Sequence, residues 1–136
     1  MKRISAIIAI ALAGCAVQPP IDSAIVQAAN APLVCQNKAQ CDLYMSRAQY
    51  LIARVSGFKI QTANDTLIET YGPTDADGMV YVLAYRVTKL ENENGSADIH
   101  IDAMSNCSNN ELDIGYCQQA SIKAVALMKG FIRTGH

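Results

Sequence analysis

The chain has 136 residues, with 11 Lys and Arg against 12 Asp and Glu, a net charge of −1. That balance lacks the clustered basic surface of a nucleic-acid binder, so none is expected as a partner. The length is that of one domain with a modest core, which covalent staples would help to stabilise.

The first feature in chain order is Lys2-Arg3, followed by residues 4–13, where Ser5 is the single polar residue. A positive start, a short apolar run and the small residues Ala13 and Gly14 make a secretory signal. A spanning helix needs about 20 apolar residues, so the run is too short for a retained anchor. Ordinary signal peptides end in Ala-x-Ala, whereas this one ends in Leu12-Ala13-Gly14-Cys15. The ending resembles the lipobox of bacterial lipoproteins without departure, over residues 1–15 only. The resemblance implies that the Cys15 sulfur receives a diacylglyceryl group, that residues 1–14 are cleaved off, and that the new amino group is acylated with a palmitate-type chain. Two or three such chains make attachment to the bilayer stable where one anchors only marginally. Ala16, not Asp, follows the cysteine, which by the same resemblance favours an outer-membrane anchor facing the periplasm.

Loss of Lys2 and Arg3 leaves nine basic against twelve acidic side chains, a mature charge of −3 and no polybasic membrane patch. With Cys15 used for lipid, Cys35, Cys41, Cys107 and Cys117 remain, and an even count in an oxidising compartment reads as two disulfides. Three pairings exist. The local pairs Cys35–Cys41 and Cys107–Cys117 are favoured, because each closes a short irregular segment beside a helix start. The alternative ties the N-terminal segment to the C-terminal one. Cys-x5-Cys and Cys-x9-Cys are not zinc-knuckle spacings, and there is no Cys-x-x-Cys redox pair. No metal or other cofactor is expected.

Residues 15–32 read as the lipidated cysteine and a tether stiffened by Pro19-Pro20, and residues 33–136 as a single disulfide-bonded periplasmic domain. Residues 41–56 read as the first helix, with Tyr44, Ala48, Leu51, Ile52 and Val55 on one stripe and Gly57 as its stop. Two short strands are expected at residues 58–62 and 66–71, around the turn Ala63-Asn64-Asp65. The run Asp75-Ala76-Asp77-Gly78 resembles part of a calcium loop but lacks its other ligands, so it reads as a plain connection.

Residues 79–90 form the clearest strand, with Leu83, Tyr85 and Val87 on one face and Ala84, Arg86 and Thr88 on the other. Asn94-Gly95 signals a hairpin. Residues 97–104 return with Ala97, Ile99, Ile101 and Ala103 pointing one way and Asp98, His100 and Asp102 the other. Residues 106–116 are expected to be irregular and 118–132 to form the final helix.

The order helix-β-β-β-β-helix is that of an α+β domain: an antiparallel sheet of about four strands with helices packed on one face. Its other face, carrying Arg86, Asp98, His100 and Asp102, is the candidate binding surface. No catalytic set is present. The expectation is a non-catalytic protein-binding or structural module of the envelope, anchored by Cys15 and contacting another envelope protein. The alternative is a small hydrolase or metal-binding protein in which His100 works with Asp98 and Asp102.

Overall fold

The computed structural model describes residues 19–73, 80–107 and 111–136. The expected signal peptide at residues 1–14, Cys15 and the Asp75–Gly78 connection lie outside the described residues. Within them the order is α1 (Ser23–Asn30), β1 (Leu33–Cys35), α2 (Lys38–Val55), β2 (Ile60–Ala63), β3 (Leu67–Thr70), β4 (Val80–Glu91), β5 (Ala97–Asn106) and α3 (Glu111–Thr134). The fold is α+β as expected, with one antiparallel sheet in the order β1-β5-β4-β3-β2.

The strand count is five, not about four. The added strand is β1, in register with β5 through Leu33 opposite Ile99 and Cys35 opposite Ala97. Three residues are too few to show an alternating pattern, and β1 exists because β5 offers it an edge. Downstream, Asn37 accepts from the Gln40 N–H at 3.0 Å, while the Gln40 side chain accepts from the Gln36 N–H at 2.7 Å. This near-reciprocal cap starts α2 at Lys38, three residues before the expected start. The disulfide Cys35–Cys41 spans the same corner and joins the end of β1 to the first turns of α2.

The expected tether segment holds the helix α1. Asp22 caps α1 by accepting from the Ala24 N–H at 2.8 Å. The helix lies along α3, in the same direction. Gln119 Nε2 donates to the Pro19 carbonyl at 3.2 Å, Lys129 Nζ to those of Ala29 and Ala31 at 2.6 and 2.8 Å, and Arg133 Nη2 to that of Pro32 at 2.8 Å. Lys129, 9% exposed, thus binds the carbonyls left open at the end of α1 rather than serving its own helix. The end of α3 is satisfied by Arg47 of α2, which donates to the Ile132 and Arg133 carbonyls at 2.9 and 3.1 Å. Gly135 sits beside that guanidinium at φ +84°, a left-handed position that glycine occupies without a Cβ penalty.

One core lies between the helices and a single sheet face. It joins Tyr44, Met45, Ala48 and Ile52 of α2, Met128 and Ile132 of α3, and Ile68, Tyr85, Val87, Ile99 and Ile101 of the sheet. The turn after α2 is tight against β4: Ser56 Oγ donates to the Leu83 carbonyl at 3.1 Å and accepts from the Phe58 N–H at 3.0 Å. A Cβ on Gly57 would lie 2.4 Å from that of Val82, so only glycine fits there without a shift. The β4–β5 hairpin forms at Asn94-Gly95, with Gly95 alone at positive φ (+81°) and the Asn92 N–H donating to the Ser96 carbonyl at 2.8 Å.

Helix α3 begins at Glu111, so the expected irregular segment at 106–116 is partly helical and Cys117 lies inside α3. Ile114 and Tyr116 are 40% and 51% exposed, so these early turns lack the apolar stripe that marks the later ones.

Candidate functional site

The helix-free face of the sheet gathers the residues that alternation had placed there. Cross-strand register arranges them in rows. Glu69 of β3, Arg86 of β4 and Asp102 of β5 form one row; Leu67, Thr88 and His100 form the next; Leu90, Asp98 and Val34 of β1 form the third. The helices cover the opposite face, so β4 and β5 turn Tyr85, Val87, Ile99 and Ile101 inward and leave Arg86, His100 and Asp102 exposed.

Arg86 is the centre of the charged row. Its Nε donates to Glu69 Oε1 at 2.8 Å, and its Nη2 contacts the same oxygen. The hydrogen bond and charge of Glu69 raise the Arg86 pKa, with a smaller contribution from Asp102. Glu69 accompanies the candidate residues without having been singled out; the alternation of Leu67 and Glu69 with buried Ile68 and Thr70 was its signal. Asp98 is held by the hairpin, accepting from Asn92 Nδ2 at 3.2 Å.

His100 does not join Asp98 and Asp102 in a cluster. Outward positions two apart on a strand are about 6.5 Å apart along the chain. Among the described residues no group of three His, Cys, Asp or Glu side chains is placed to hold a metal ion. His100 faces Thr88 across the ladder and makes no hydrogen bond or ion pair among the described residues. The three side chains therefore stand as separate groups on a wet face.

The cysteines fall into two local pairs at bonding distance, Cys35 with Cys41 and Cys107 with Cys117, with Cα separations of 5.1 and 6.4 Å. The alternative cross-pairing is not the one adopted. Among the described residues no helix is long and apolar enough to cross a membrane.

Comparison with protein-family models, with curated proteins and with solved structures found no match to this chain.

Proposed function

We propose that the chain is a bacterial envelope lipoprotein, acylated at Cys15 after loss of residues 1–14 and anchored in the outer membrane facing the periplasm. Its stapled domain acts as a non-catalytic protein-binding or structural module. The address rests on the lipobox resemblance. The observation that supports a binding role is the helix-free sheet face, where Arg86 lies between Glu69 and Asp102, the Thr88–His100 row follows it, and Leu90 lies one row further on beside Asp98. The face mixes both signs of charge with exposed apolar area, Leu90 being 53% exposed. Tethering confines the domain to a thin layer and raises its effective concentration toward a partner in the same layer.

The test places a photoreactive residue at Thr88 in intact cells, with the same residue at Gln49 on the exposed side of α2 as control. A discrete adduct with one envelope protein, absent from the control and lost with Arg86→Ala, is expected. Irradiation that yields no adduct from Thr88 or from His100 refutes the binding role. The address is tested apart from it, by intact mass: a bare thiol at Cys15 with the first fourteen residues still attached refutes the lipoprotein reading.

A further inference from the structure

An apolar groove of about 1060 Å³ runs over the helical layer, at the upper end of the ~300–1,000 Å³ usual for small-ligand sites. Helix α1 lines it with Ile25 and Ala28, α2 with Leu51 and Val55, and α3 with Leu127 and Phe131. Val55 and Leu127 are 49% and 74% exposed there, a large apolar surface that the other described residues do not cover. The groove is deep enough to be lined by Tyr85 of the sheet, itself only 4% exposed.

One end of the groove lies beside the start of the described chain. Lys123 lines both the groove and the small cleft around Pro19, Gln119 and Ala120. Pro19 is fixed there by the bond from Gln119. Cys15 stands four residues upstream, and four residues span at most ~14 Å. A hydrophobic chain carried by Cys15 thus starts within reach of the groove mouth at a high effective concentration.

We infer that the groove between α1, α2 and α3 shelters one acyl chain of Cys15 when the protein is off the bilayer. The inference rests on the lipoprotein reading of Cys15. An acyl chain needs apolar walls and no hydrogen bonds along its length, which the lining supplies. In a membrane the bilayer offers the chain the same relief from water, so vesicles compete with the groove; in water the groove is the nearer refuge.

The experiment uses cells fed a fatty acid with a terminal diazirine. The full lipidated protein is purified, detergent is removed, and the sample is irradiated and mapped by peptide mass spectrometry. Label on Cys15, with intramolecular adducts on peptides carrying Ile25, Leu127 or Phe131 that vesicles suppress, is the expected result. Ala28→Trp, which fills the groove, is expected to cut those adducts at least tenfold. Label on Cys15 with adducts only outside the groove, or only between two copies, overturns the inference and leaves the lipoprotein reading intact. Absence of label from Cys15 overturns both. If Ala28→Trp fails to fold, the wild-type adduct map decides alone.

Discussion

Replacing Lys129 by Met should loosen α1 while leaving the rest of the domain folded. The ammonium is buried and donates to the carbonyls of Ala29 and Ala31 at 2.6 and 2.8 Å, and Met keeps the length and apolar stem but removes both donors. A hydrogen bond from a charged group contributes ~1.5–3 kcal/mol, and an acceptor left unsatisfied costs ~1–3 kcal/mol. Against this stands the burial of the ammonium, which lowers its pKa, with Arg133 lowering it further, and which Met does not suffer. Ala29 is buried and its carbonyl is the harder of the two to rehydrate. The net loss is about 2 kcal/mol, roughly a thirtyfold rise in the undocked population of α1. Native-state hydrogen exchange checks it residue by residue: the amides of α1 should lose protection while those of α2 and β5 keep theirs. Unchanged protection in α1, or an equal loss throughout the domain, refutes the claim that Lys129 is what docks this helix.

Gly57→Ala should destabilise by about 1–3 kcal/mol in urea unfolding, because its Cβ meets Val82 at 2.4 Å and one of the two segments must move. Mild reductant under native conditions should open Cys107–Cys117 before Cys35–Cys41, since Cys35 is fully buried whereas Cys107 is half-buried; alkylation and mass spectrometry give the order. Reduction of either bridge should lower stability by about 2–3 kcal/mol on the loop-entropy account. Burial raises the Tyr85 pKa above its unfolded value near 10, so its contribution is complete below pH 10 and is lost as pH rises through the folded pKa. Lys129, with a lowered folded pKa, acts with the opposite sign just below its own unfolded value. Tyr85→Phe should therefore flatten the alkaline limb of the stability curve relative to wild type, as read from urea midpoints between pH 9 and 11. Arg86→Ala should move the melting temperature little, since the pair with Glu69 is half-exposed and such pairs contribute ~0–1 kcal/mol.

The long elements were legible in the chain because their signals are local. Strands β4 and β5 alternate over ten residues or more, so the faces of Tyr85, Val87, Ile99 and Ile101 and of Arg86, His100 and Asp102 could be assigned before any contact was known. The Asn94-Gly95 hairpin and the Asn64 turn were equally local, the latter because the Asn64 side chain accepts from the Thr66 and Leu67 N–H groups at 2.9 and 2.8 Å. The Asn37–Gln40 cap is also local, and it starts α2 at Lys38, three residues before the start that the apolar stripe suggests. Lys89 shows the limit of pattern: it lies on the core side of β4, 8% exposed, with its amine 3.0 Å from Glu91.

The amino-acid order alone carried the α+β class, through the succession of its elements, and the two sheet faces, and it favoured the local cysteine pairs without deciding between the three pairings. The signal for each element is local to that element. The tertiary structure decided the rest: β1 as a strand, α1 as a helix docked through Lys129, Glu69 as the partner of Arg86, and the groove over α3. These join positions 17 to 100 residues apart in sequence. A short segment has too few contacts of its own to offset the entropy of ordering it, and takes its shape only when a distant partner is already in place.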